Sequence, residues 1–188
     1  MEEHKQIKFL RGKRVFARPI EQDDLDLFYK SALWDPEGRR LTGTQAFFSR
    51  QGVQKWFDHI STDSSRVDLI ICLEESDKPI GEMAILDINH LNRNGTVRIS
   101  IFDKKYWGNG YGTEAMSLLL EYGFTKLNLH RVGLDVFSFN ERAIKSYKKL
   151  GFQQEGRIRD ELCYDGEYHD SILMGMLDTE FQMNHEGI

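Results

Sequence analysis

The spacing of apolar residues switches several times between strand-like and helical along the chain, and each switch predicts an element. Residues 15–20 (VFARPI) read as a strand. In the EQDDLDLFYKSAL that follows, Leu25, Phe28, Tyr29 and Ala32 recur at helical spacing. WDPEGRRLTG, with its Asp-Pro pair and its glycines, predicts a loop. A second helix is predicted over residues 51–60, where Val53, Trp56, Phe57 and Ile60 share a face. RVDLIICLEE and KPIGEMAILDI read as an antiparallel hairpin turning at ESDK, and residues 96–102 (TVRISIF) alternate as a further strand.

After a glycine-rich stretch, a helix is predicted from about residue 110 to 127. Ala115, Leu118, Leu119, Tyr122 and Lys126 line one face, and Met116, Leu120, Phe124 and Leu127 widen it. That breadth suits packing against a sheet. RVGLDVF reads as a short strand. SFNERAIKSYKKLGF reads as a helix with the stripe Ala143, Ile144, Tyr147 and Leu150; Ser138 and Asn140 compete for its cap, and Gly151 stops it. The chain closes in a hairpin, EGRIRDELCY and YHDSILMGML, turning at Asp165–Gly166. With no linker or repeat, this order predicts a single α/β domain of mixed sheet, its core over about residues 7–178 and disorder confined to the polar tails 1–6 and 184–188.

Composition changes this picture little. The 188 residues suffice for one sizeable core. A formal net charge of −5 argues against a nucleic-acid partner, which needs a basic face, and suits a cationic small-molecule or peptide substrate. No run approaches the ~20 apolar residues of a membrane span, and MEEHKQIKFLRGKR lacks the apolar core of a signal peptide, so a cytoplasmic protein with no membrane partner is expected. Cys72 and Cys163 lack ligand spacing; they are expected to be buried free thiols, and no metal site is expected.

The candidate chemistry begins at YWGNGYGTEA, residues 106–115. Glycines before a helix serve either a tight turn at positive φ or a close approach of backbone N–H groups to an anion at the helix start. The glycines alone leave both readings open. The dinucleotide fingerprint would place its third glycine at Thr113 and would ordinarily open the domain. The P-loop needs a Gly-Lys-Ser/Thr that the chain lacks, and the later signatures of a protein kinase are missing.

The pattern that fits is x-x-x-G-x-G/A between strand and helix. Together with LRGKRVFARPIEQDDL, INHLNRN, YWGNGYGTEAMSLLLEYGFTKLNLHRV, NERAIKSYKKLGF and EGRIRDELCYDGEYHDSILMGML, it resembles the GNAT superfamily of acetyl-CoA-dependent N-acetyltransferases. The branch it resembles holds the ribosomal-protein alanine and spermidine acetyltransferases. The resemblance covers nearly the whole chain. It implies a central, mostly antiparallel twisted sheet flanked by helices, and homo-oligomers are common among such relatives.

By that resemblance, Trp107, Gly108, Asn109, Gly110, Tyr111 and Gly112 wrap the pyrophosphate of coenzyme A through backbone N–H groups, with the Thr113 hydroxyl at the helix start. Trp107 stands where the superfamily usually has Gln or Arg. Ile101 and Phe102 border the pantetheine arm, Asn140 contacts its amides, and Tyr147 lies near the thioester sulfur as the proton donor. For the last two residues, helix capping and core packing are the competing structural explanations. Direct transfer to an amine expels a thiolate of pKa about 8.5, which a tyrosine can protonate, and needs no cysteine nucleophile. The amine must also lose a proton, since only about 1 part in 2,500 of an alkyl amine is neutral at pH 7. Thr96 stands where many relatives carry a glutamate, which leaves Glu82, Asp87 and His90 as candidate bases. Asp160, Glu161, Asp165, Glu167 and Asp170 of the last hairpin either attract a cationic amine or are simply solvated. The expected function is therefore acetyl transfer from acetyl-CoA to a primary amine: a polyamine, a protein N-terminus or a small molecule. The competing readings are a non-catalytic acyl-CoA-binding module and a dinucleotide-dependent oxidoreductase.

Overall fold

The computed structural model describes residues 7–185; the first tail, 1–6, and residues 186–188 of the second lie outside the described residues. Eight strands form one sheet: β1 (Leu10–Arg11), β2 (Val15–Pro19), β3 (Val67–Leu73), β4 (Pro79–Asn89), β5 (Asn94–Ile101), β6 (Arg131–Phe137), β7 (Gln153–Tyr164) and β8 (Glu167–Leu177). Their spatial order is β1-β2-β3-β4-β5-β6-β8-β7. Every neighbouring pair is antiparallel except β5 and β6, which are joined by a helical crossover and run parallel.

Helical elements flank the sheet. The stretch read as one helix is a succession of turns: a 3-10 turn at Gln22–Asp24, an α-turn, α1 (Leu25–Leu27), and a π-turn at Phe28–Ala32. The predicted loop after it is a helix, α2 (Pro36–Thr42). Its breakers are helix punctuation: Asp35 accepts from the Gly38 N–H at 2.6 Å, Pro36 opens the first turn, and Gly43 closes the helix at φ 65°. Then come α3 (Arg50–Ile60), α4 (Tyr111–Thr125), α5 (Glu141–Leu150) and α6 (Asp178–His185). Among the described residues no helix is long and apolar enough to cross a membrane.

The pleat divides the core. Leu69, Ile71 and Leu73 of β3, with Met83 and Ile85 of β4, pack beneath Ala115, Met116, Leu119 and Leu120 of α4. The broad apolar face of α4 is thus spent on the sheet, and Tyr147 of α5 packs at the margin of the same cluster. On the opposite face Phe16, Ile70 and Cys72 form a second cluster, which Ile20 shares with Leu25, Phe28 and Val53. Stacking of Phe28 on Trp56 at 4.6 Å binds the 22–32 segment to α3. Cys72 is buried as expected, whereas Cys163 is exposed, because it lies on the edge strand β7, which has a neighbour on one side only.

A buried ion pair joins the sheet to this second helical layer. Arg18 of β2 donates to both Asp24 oxygens, at 2.6 and 2.7 Å, and Asp24 also accepts from the Glu21 N–H at 2.9 Å. The two residues are 8% and 5% exposed, so removing either strands a desolvated charge. Asp24→Ala is expected to lower the unfolding free energy by about 3–5 kcal/mol. A urea midpoint equal to that of the unaltered protein would show that the pair does not secure the layer.

Candidate functional site

The parallel ladder between β5 and β6 is short. It consists of Asn94↔Arg131, Gly95↔Val132 and Thr96↔Gly133. Beyond it, β5 stays bonded to β4 as far as Ile101, and β6 stays bonded to β8 as far as Phe137. Only the inner edges part, and the sheet forks. Phe102 N–H donates to Ile80 O at 2.9 Å, which identifies the residues that exchange bonds with β4. By antiparallel alternation, Val97, Ile99 and Ile101 turn their N–H and C=O groups the other way, into the fork. Ile101 therefore borders the opening. Phe102 does not offer its N–H there, and its ring packs with the Leu25, Phe28 and Val53 cluster.

The glycine stretch sits at the open end of the fork. Gly108 and Gly110 adopt φ 76° and 81°, so the tight-turn requirement is real. Space is also left: a Cβ added at Gly108 would meet nothing within 4 Å, and one at Gly110 would meet only the Arg14 guanidinium, at 3.0 Å. The Asn109 amide closes the turn by donating to Lys105 O and Trp107 O at 3.1 and 3.3 Å. The Trp107 indole donates to Ile101 O at 2.8 Å, and the Arg142 guanidinium lies 3.9 Å from its ring centre. No side chain caps α4 behind the loop, so the N–H groups of its first turn and the positive end of its dipole face outward. The Thr113 hydroxyl is within 3.0 Å of the Ser146 hydroxyl and ties α4 to α5. Left-handed glycines, open space and an uncapped helix start suit an anion such as a diphosphate.

A clamp missed in the sequence holds this loop. Glu114 accepts from the Arg14 backbone N–H and side-chain Nε, each at 2.8 Å. Arg14 Nη1 donates to Asn109 O at 2.8 Å, and its guanidinium lies over the Tyr111 ring. Burial pushes the Glu114 carboxyl up, but hydrogen bonds from Arg14 and Val15 outweigh it and hold it below the ordinary carboxylate range. Its partners lie about a hundred positions away, and no local signal reveals them.

On α5, Asn140 is the helix cap: its Oδ1 accepts from the Ala143 N–H at 3.3 Å. Tyr147 packs edge-on to Phe152. Burial, with the negative charge of Asp135 adding to it, pushes its phenol up to about 12. Among the described residues its hydroxyl has no hydrogen-bond partner.

The candidate bases separate. Glu82 is 7% exposed and lies on the sheet face away from α4, within 3.1 Å of Arg98 Nη2. Burial pushes its carboxyl up and Arg98 opposes this. Asp68 joins the group, bonded to Arg66 Nε at 2.6 Å and 3.7 Å from Arg98. Asp87 and His90 are exposed at the closed end of the fork, beyond the last β4–β5 ladder pair before the bulge. Of the hairpin acids, Asp170 accepts from the Asp160 N–H and is ion-paired to Arg157, which hold its carboxyl low in that order; Asp160, Glu161, Asp165 and Glu167 are exposed.

Comparison with known proteins agrees with this geometry. The profile of the acetyltransferase (GNAT) domain family matches residues 14–153. The spermidine N(1)-acetyltransferase of Escherichia coli is 35% identical over 128 residues, covering 68% of this chain and 67% of that protein. YokL, an uncharacterized N-acetyltransferase from the SPbeta prophage of Bacillus subtilis, is 27% identical over 180 residues, covering 95% and 98%. Among solved structures, spermidine N-acetyltransferase from Vibrio cholerae in complex with CoA and spermine shares the fold with a TM-score of 0.84 at 22% identity, covering 90% of this chain and 98% of that one. A sheet forked beside an uncapped helix, under a profile that spans most of the chain, makes this protein a member of the GNAT family of N-acetyltransferases, which move the acetyl group of acetyl-CoA to an amine.

Proposed function

We propose that the chain acetylates a primary amine of a cationic small molecule, of which spermidine is the first to test. The single observation carrying the site assignment is the fork, whose inner β5 edge ends at the glycine loop. The substrate class is supported by the Escherichia coli relative, named for spermidine. Family membership does not favour a binding module without turnover, and Thr113 remains against a dinucleotide site.

When bound, acetyl-CoA supplies a thioester whose acetyl group is open to attack by an amine. The chain's own contribution has four parts. Backbone N–H groups of residues 108–113, held by the Arg14–Glu114 clamp, bind the diphosphate without the cost of ordering a loop. Val97 and Ile99 offer their inward N–H and C=O groups as a strand edge for the pantetheine amides, while the Ile101 carbonyl is already engaged by Trp107. The Asn140 Oδ1 is committed to its cap, which leaves its amide NH2 as the group for pantetheine. Tyr147 Oη keeps its proton at any working pH and gives it up at the sulfur as the C–S bond breaks.

Tyr147→Phe is expected to lower kcat on the order of 100-fold while the acetyl-CoA Kd changes by less than about twofold. An unchanged kcat would remove the acid role. Because burial and Asp135 raise this phenol, Tyr147 stays protonated well above neutrality, and no loss of kcat below about pH 10 should trace to it. An alkaline limb below that value that vanished in Tyr147→Phe would contradict the raised pKa. Gly110→Val puts a branched side chain at φ 81° beside Arg14, and is expected to weaken acetyl-CoA binding by about tenfold or more in calorimetry. A folded variant with unchanged affinity would sink the cradle.

A further inference from the structure

Among the described residues, the fork sets an unpartnered carboxylate just past its last ladder pair. On β6, Val132, Leu134 and Val136 are buried in the core beneath α4 and α5, so alternation turns Asp135 and Phe137 to the opposite face. Phe137 confirms the direction, since a Cβ built on Gly43, at the end of α2, would lie 2.7 Å from its ring. The outer neighbour of Asp135 is Leu173 of β8. On its inner side there is no strand, because the β5–β6 ladder has ended at Thr96↔Gly133.

Across the opening, β5 sends Thr96, Arg98 and Ser100 to the same face, and none of them is a carboxylate. The Arg98 guanidinium is drawn the other way, toward Glu82 at 3.1 Å and Asp68 at 3.7 Å. Glu82 is thereby occupied. Asp135 is exposed, and its side chain forms no ion pair or hydrogen bond among the described residues. Tyr147 packs at the margin of the core on the other face, and after burial the Asp135 charge is the second cause that raises its phenol.

We propose that Asp135 binds the ammonium group of the acceptor where the two strands begin to part and so selects cationic amines. The inference rests on the acetyltransferase reading above. A carboxylate accepts a charge-assisted N–H bond from the ammonium. Once one N–H proton has passed to water, the same carboxylate still accepts from one of the two that remain. The nitrogen lone pair is then directed away from Asp135 and into the fork.

The test uses spermidine as acceptor and calorimetry on the protein saturated with CoA. Asp135→Asn is expected to raise the KM and the Kd for spermidine together by about tenfold, with the acetyl-CoA Kd changed by less than about twofold. Asp135→Glu, which keeps the charge, is expected to recover part of the loss. If Asp135→Asn leaves spermidine KM and Kd unchanged, or weakens acetyl-CoA to the same extent, the proposal fails while the acetyltransferase reading stands. If the unaltered protein binds spermidine without acetylating it, the spermidine reading fails and the calorimetric comparison still decides the role of Asp135. If it neither binds nor acetylates spermidine, both fail.

Discussion

The parting of β5 from β6 after three ladder pairs is the constraint on which the site depends. A backbone edge with unpaired N–H and C=O groups is ordinarily a liability inside a sheet. Here it persists because each strand keeps its outer neighbour over its full length, so the sheet loses few of its own bonds by forking. The opening also has two unlike sides. α4 and α5 cover one with a packed apolar core, and α1 to α3 cover the other, where the charged residues of β3 to β6 lie. In the proposed function the proton donor Tyr147 belongs to the first side and the acceptor amine to the second.

The glycine loop is a second constraint, imposed by distant residues. Left-handed glycines permit the turn but cannot hold it, since glycine loses the most freedom on ordering. Arg14 and Glu114 hold it instead, joining the start of β2, the loop carbonyl of Asn109 and the first turn of α4. The Trp107 indole performs the same service at the other end by bonding to Ile101. Both flanks of the loop are thus fixed to the sheet, and the N–H groups between them are left to an anion.

The elements most legible in the sequence were those whose periodicity and caps agree. α5 has its stripe, its Asn140 cap and its Gly151 stop, and the last hairpin has Asp165 and Gly166, both at positive φ. α2 escaped because none of its residues is buried: with no apolar stripe to read, Pro36 and Gly43 looked like breakers. The fork and the clamp escaped for a different reason. Each depends on residues far apart in the chain, and neither Arg14 nor Asp135 carries any local pattern. Asn140 shows the limit from the other side, since its capping role was legible and a contact with a bound molecule would use the half of its amide that capping leaves free.

The raised pKa of Tyr147 places a condition on the chemistry. In the donor role proposed for Tyr147, passing a proton from a phenol near 12 to a thiolate near 8.5 would be uphill by roughly 5 kcal/mol. Most of the rise comes from burial, which the reaction cannot relieve, but part comes from Asp135. The amine on Asp135 is neutral once its proton has left, and its nitrogen would offset that negative charge only on becoming cationic as its new bond forms, which would make Tyr147 the stronger acid at the step where the sulfur leaves. The residue that selects the amine would then also tune the proton donor, so that transfer is favoured when acceptor and donor are both bound.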